Sequence, residues 1–200
     1  MSNIVNASLS IRGVRPLLWH RFGPDSLPLE KQEKTGVAGN VPDEWKKSVL
    51  FTSDGQLYLE PSYLFGCLRE GGRYTTRSRA TLMKFISATL LVTDDRLLID
   101  RWIPNFNGDL PDEMPTDPDE PVYLDIRGVR NPATKARNIR YRVAASTGWH
   151  MTASLIWDKT VISRPEMESV SIDAGRLVGL GDGRSIGFGR FEVDTFEASE

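Results

Sequence analysis

LVGLGDGRSIGFGRFEV, Leu177 to Val193, is the stretch on which the reading of this chain turns. Five of the 17 glycines fall between Gly179 and Gly189, and a basic, aromatic, strand-like run follows at once. Glycine at that density means backbone that turns with positive φ, or backbone that something else approaches closely. A dinucleotide fingerprint needs its glycines between a strand and a following helix. Here the order is helix, loop, strand, and only eleven residues remain after Gly189. A phosphate loop of the Walker type needs Lys-Ser/Thr after its last glycine, where this chain has Arg190 and Phe191. A helix C-cap followed by a turn into a strand accounts for one or two of the glycines, not five. The loop therefore reads as a place of close backbone approach.

Working outward, PEMESVSIDAGRLVGL before the loop is an amphipathic helix. Pro165 stands in its first turn, and Met167, Val170, Ala174, Leu177 and Val178 face inward. GFGRFEVDTF after the loop is the last strand. At the other end, Ile4 to Val14 alternates as a strand that Pro16 ends or bulges. From Phe22 to Lys47 the chain is a long loop with a helical turn at PDEWKKS, and turn, short strand and helix start follow in SDGQLYLEPSYL. SYLFGCLREGGRYTTRSRATLMKFISATLLV gives two helical stretches joined by a basic elbow at Gly71-Gly72. Leu97–Ile103 and VYLDIRGVR are strands, separated by an exposed acidic loop. Arg140 to Val143 and Trp149 to Val161 read as antiparallel strands flanking Ser146-Thr147-Gly148. The order is βαββαβ, an α+β, ferredoxin-like antiparallel sheet in one domain, with insertions at about 22–58 and 104–121.

Two hundred residues with 40% hydrophobic content suffice for one such core. The single Cys67 excludes an internal disulfide, and the absence of an apolar leader points to a reduced, cytoplasmic protein. No apolar run is long enough to cross a bilayer, so no membrane partner is expected. One Cys and two distant His give no zinc spacing, so neither metal nor cofactor is expected. The net charge of −2 does not advertise a nucleic-acid binder, but the charge is segregated. Arg127 to Arg142 holds six basic residues and no acid, and Arg69 to Lys84 holds five against Glu70 alone. The acids collect in DLPDEMPTDPDEP, Asp109 to Pro121.

Gly179, Gly181, Gly187, Gly189 and Phe191, after a helix and before a final strand, resemble the glycine loop of the RAMP superfamily, the ferredoxin-like RNA-binding proteins of CRISPR systems. Pro16, Leu17, Leu18, His20 and Arg21, the helix PSYLFGCLREGGR and the basic run Asn131 to Tyr141 are also similar to small phage and prophage proteins of uncertain function. The RAMP resemblance implies an RRM/RAMP-type sheet and a glycine loop that packs beside bound RNA. It also implies a general-base histidine near the first strand in those members that cut RNA, a place His20 occupies. There Tyr74, Lys84 or Lys135 would stabilise developing charge. His150, on an alternating strand, reads as structural.

Phosphate contacts come from Arg, Lys, Asn and backbone N–H groups. The candidate nucleic-acid-binding residues are Arg21, Arg73, Arg77, Arg79, Arg127, Arg130, Asn131, Lys135, Arg137, Arg140, Arg142 and Arg184, with Gly181, Gly183, Gly187 and Gly189. Tyr141, Trp149, Phe188 and Trp19 are the candidates for stacking on bases. The plain alternative is that several of these arginines pair with the chain's many acids. The function expected is backbone binding of single-stranded RNA, or secondarily DNA, by a repeating, self-associating subunit of a CRISPR-effector-like complex. The alternatives are a metal-independent endoribonuclease using His20 and a phage-related structural protein that touches no nucleic acid.

Overall fold

The computed structural model describes residues 3–23, 40–130, 135 and 137–199. The chain forms two compact units. The first comprises Met1–Leu17, Tyr58–Asp100 and Thr147–Glu200; the second comprises Leu18–Leu57 and Arg101–Ser146.

The first unit is built on a four-stranded antiparallel sheet. Its strands are β1 (Ile4–Gly13), β6 (Leu91–Val92), β10 (His150–Asp158) and β11 (Phe191–Ser199), in the order β11-β1-β10-β6. Counting only these strands, the order is 4-1-3-2. With α2 (Pro61–Gly71) between the first two and α4 (Arg164–Asp173) between the last two, this is the ferredoxin-like βαββαβ fold. The period-2 alternation of β1 puts Val5, Ala7, Leu9 and Ile11 on the buried face, opposite Trp157, Leu155, Ala153 and Met151 of β10. α2 begins at Pro61, whose fixed φ suits a first helical position. α4 begins with Glu166 reaching back to the backbone N–H and hydroxyl of Ser163, at 2.9 and 2.7 Å. β11 forms an edge of the sheet and is blunted as edges usually are. A register shift falls beside Asp194, and Glu192, Asp194 and Glu197 point outward.

The segment between α2 and β6 holds more than an elbow: a hairpin of β4 (Thr76–Arg77) and β5 (Ala80–Thr81), then α3 (Met83–Thr89). The end of the expected second helix is instead β6, two residues long. After α4 the chain does not continue as α-helix but makes one π-helical turn, Ala174–Val178. That turn inserts a residue and rotates Leu177 outward to 44% exposure, where α-helical spacing predicts an inward side chain. The turn sits where Gly71 meets Ala174: a Cβ on Gly71 would lie 2.7 Å from that of Ala174.

The second unit holds α1 (Glu44–Ser48), β8 (Val122–Arg130) and β9 (Arg137–Ala145); with β2 (Leu17–Leu18) these strands form a sheet in the order β2-β9-β8. β8 and β9 form a nine-rung antiparallel ladder, Val122↔Ala145 to Arg130↔Arg137. The expected pairing of β9 with β10 across Ser146 does not form; β9 pairs with β8 and β10 with β1. β3 (Gln56–Leu59) and β7 (Leu97–Trp102) make a separate two-stranded sheet. Among the described residues, no helix is long and apolar enough to cross a membrane.

Candidate nucleic-acid interface

The β8–β9 ladder sorts the basic segment onto two faces. Tyr123, Asp125, Arg127 and Val129 share one face with Ala144, Arg142, Arg140 and Asn138. Leu124, Ile126, Gly128 and Arg130 share the other with Val143, Tyr141, Ile139 and Arg137.

The first face is neutralised from within. Arg142 and Asp125 are 3% and 4% exposed, their charged groups 3.4 Å apart, and Arg127 also pairs with Asp125. Arg140 donates to Glu44 Oε2 at 2.8 Å, while Glu44 Oε1 accepts the Tyr141 backbone N–H, also at 2.8 Å. Arg142 is thereby taken off the surface, although its strand register with Arg140 and Asn138 is the one its sequence spacing predicts. Burial of a charge so deep is tolerated only because the carboxylate comes with it.

The second face is different. Arg130 and Arg137 stand directly opposite each other on the last rung, and among the described residues neither has an acidic partner. Like charges directly across a ladder repel. Behind them Ile126 and Ile139 are 47% and 37% exposed, and Tyr141 is half-buried. Asn131 lies outside the described residues. Lys135 is exposed, with φ +60°.

The glycine loop belongs to the first unit, and its glycines divide by purpose. At the neck, Leu180 N–H donates to Gly189 O at 2.9 Å and Gly189 N–H to Pro16 O at 2.8 Å. A Cβ on Gly189 would lie 1.8 Å from Leu180 O. At the tip, Gly181, Gly183 and Gly187 have φ of +68°, +69° and +93°, and a Cβ on Gly187 would meet nothing within 4 Å. The backbone N–H groups of Gly181, Gly183, Arg184 and Ser185 find no acceptor among the described residues. Consecutive amides in this conformation form an anion-binding concavity. Arg184 is exposed, and Arg190 carries a buried Nη1 with no hydrogen-bond partner among the described residues. Both arginines act electrostatically on Cys67, but burial pushes that thiol up to about 12, so it remains neutral and offers them no charge.

The β4–β5 hairpin presents Ser78 and Arg79 at its tip, Ser78 at φ +56°. Arg79 is exposed and has no acidic partner among the described residues. Arg77 is committed elsewhere. It grips Glu166 through Nε at 2.6 Å and Nη2 at 2.7 Å, and donates to Val161 O at 2.9 Å. Arg73 pairs with Glu70 at 2.9 Å. Arg77 and the Ser163 groups hold the Glu166 carboxyl down at about 2, from an ordinary 4.5. A depressed carboxylate contributes stability above pH 4.5 that is lost as pH falls through 2. Because the pair is largely solvated, Arg77→Ala is expected to lower stability at pH 7 only slightly. Urea midpoints at pH 7 and pH 2 check this: the difference between wild type and variant is expected to shrink at the lower pH.

The helix-free face of the four-stranded sheet lacks the Phe, Tyr or Trp rings of a base platform among the described residues of β1 and β10. β1 and β10 present Asn6, Ser8, Ser10, Arg12, His150, Thr152, Ser154 and Ile156 there, so the single imidazole of His150 is the aromatic ring these two strands offer among the described residues. Stacking on RRM-type sheets depends on such rings. Trp149, Trp19 and Phe188, expected as stackers, are 0%, 2% and 6% exposed and belong to the core. The Trp149 indole covers Gly13 and donates to Arg15 O at 2.9 Å. Of the four, only Tyr141 keeps appreciable exposure. His20 is half-buried with no hydrogen bond among the described residues, and Arg21 N–H donates to Ser48 O at 3.0 Å. His150 is exposed beside Asp100, Nδ1 to Oδ2 3.3 Å. Among the described residues no cluster of three or more His, Cys, Asp or Glu is placed to hold a metal ion.

No family model matches the chain, and no curated protein matches its sequence. Its fold is similar to that of a chain in the cryo-EM structure of the Type III-B Cmr-beta bound to cognate target RNA. The TM-score is 0.53 at 12% identity, and the match covers 98% of this chain and 61% of that one. The likeness is one of fold. This chain spans about three fifths of its neighbour's length.

Sequence reasoning missed Glu44. Its only signal is its place in the first turn of the PDEWKKS helix, 96 residues from Arg140. It also grouped all the hairpin arginines together, although Arg127 and Arg130, three residues apart in a strand, must point to opposite faces.

Proposed function

We propose that this chain binds the backbone of single-stranded nucleic acid, RNA ahead of DNA, as a repeating subunit of a CRISPR-effector-like ribonucleoprotein. The observation that carries the reading is the Arg130–Arg137 rung. Two guanidinium groups face each other without a carboxylate among the described residues, on a hairpin whose other arginines are all paired. A phosphate between them removes the repulsion and forms charge-assisted hydrogen bonds. The amides of the glycine loop that have no acceptor among the described residues, with Arg184, suit a second phosphate, and Arg79, without an acidic partner among the described residues, suits a third. The fold it shares with a chain of an RNA-bound complex agrees with this reading. Contacts to phosphate carry no sequence information, so sequence preference should be weak.

The test is a salt titration of binding to matched single-stranded RNA and DNA. Affinity that falls steeply with salt, and saturation of a long strand at several copies, are the expected results. Absence of binding to either strand at low salt would overturn the proposal.

A further inference from the structure

The two faces of the β8–β9 hairpin carry arginine rungs of the same kind, Arg127↔Arg140 on one and Arg130↔Arg137 on the other. They differ only in what neutralises them. On the inner rung, Arg127 pairs with Asp125 from its own strand, and Arg140 pairs with Glu44 from α1. Arg140 is not buried by this: its side chain is 35% exposed, within reach of solvent and of any ligand. Glu44 is 17% exposed and held at both oxygens, by the Arg140 guanidinium and by the Tyr141 amide. The same carboxylate therefore occupies a hydrogen-bonding position on β9 and withholds an accessible cation.

We infer that Glu44 is a positioning residue that makes the hairpin one-sided, masking Arg140 so that nucleic acid engages the Arg130–Arg137 face alone. The inference rests on the nucleic-acid reading above. A phosphate arriving at Arg140 must displace a carboxylate already at 2.8 Å, whereas at Arg130 and Arg137 it displaces no acidic group of the described residues. Substituting Glu44→Gln keeps an oxygen for the Tyr141 amide and removes only the charge that competes with phosphate.

The experiment is a double-mutant cycle read as salt dependence on single-stranded RNA, using wild type, Glu44→Gln, Arg140→Ala and the double variant. Wild type and Arg140→Ala are expected to share one slope of log K against log salt. Glu44→Gln should be steeper by about 0.7, one further phosphate on a single strand, and the double variant should return to the wild-type slope. A Glu44→Gln slope equal to wild type overturns the inference and leaves the proposed function standing. A steeper slope that persists in the double variant overturns it too, because the gain is then a general charge effect. Absence of binding by wild type and Glu44→Gln alike overturns both readings. Binding by Glu44→Gln alone also overturns both, because the Arg130–Arg137 face of the wild type then engages nothing.

Discussion

Gly189→Ala is expected to cost about 2–5 kcal/mol of stability, which urea denaturation would measure. Two causes act at one atom. The residue has φ +67°, and the added methyl would lie 1.8 Å from the Leu180 carbonyl oxygen. Left-handed backbone costs a non-glycine residue roughly 1–2 kcal/mol, and forced overpacking typically 1–3 more. The neighbouring backbone has no room to relax, because the Leu180 N–H is bonded to Gly189 O and the Gly189 N–H to Pro16 O. Breaking that neck separates the end of β1 from the start of β11. Domains of this size keep only about 5–15 kcal/mol in total. Gly187→Ala is the control. Its φ of +93° is also unfavourable, but a Cβ there meets open space. It should cost only the backbone strain, about 1–2 kcal/mol. Equal losses at the two positions would show that close approach is not what the neck glycine serves.

Arg130→Ala/Arg137→Ala is expected to reduce the salt slope of single-stranded RNA binding by about 1.4, roughly 0.7 for each phosphate no longer neutralised. Affinity at low salt should fall roughly tenfold or more, with no change in unfolding free energy beyond about 0.5 kcal/mol by urea denaturation. The absence of a stability cost follows from the rung itself. Removing one of two facing like charges takes away repulsion, and neither arginine has an acidic partner among the described residues. Arg142→Ala should behave in the opposite way. It takes one of two cations from the buried Asp125 carboxylate and leaves Arg127 in place, so the expected loss is about 1–3 kcal/mol of stability with the salt slope unchanged. A double variant that keeps the wild-type slope would remove the hairpin from the binding surface. Binding, if still present, would then rest on the glycine loop and Arg79.

Much of the fold was legible in the chain itself. The period-2 pattern of Ile4–Gly13 gave β1 and its buried face, Pro61 and Pro165 marked helix starts, and the order of elements gave the ferredoxin-like sheet. These are local properties: alternation, turn chemistry and helix starts depend on neighbours in sequence. The glycine loop was legible as a place of close approach, which its neck is. The sequence could not separate neck from tip, because Gly189 and Gly187 differ only in what lies across from them.

What tertiary structure alone decided was the fate of charge. RGVRNPATKARNIRYR has no acid within it, yet Arg140 is answered by Glu44 and Arg142 and Arg127 by Asp125, while Arg130 and Arg137 are left to each other. Whether a cation is spent on the protein or left for a ligand depends on contacts between residues far apart in the chain, with energies that fall off within a few ångströms. Composition can count such groups but cannot pair them. The same holds for the aromatic rings. Trp19, Trp149 and Phe188 looked available in sequence and are core in the fold, because their burial was set by the strands and glycines packed across from them.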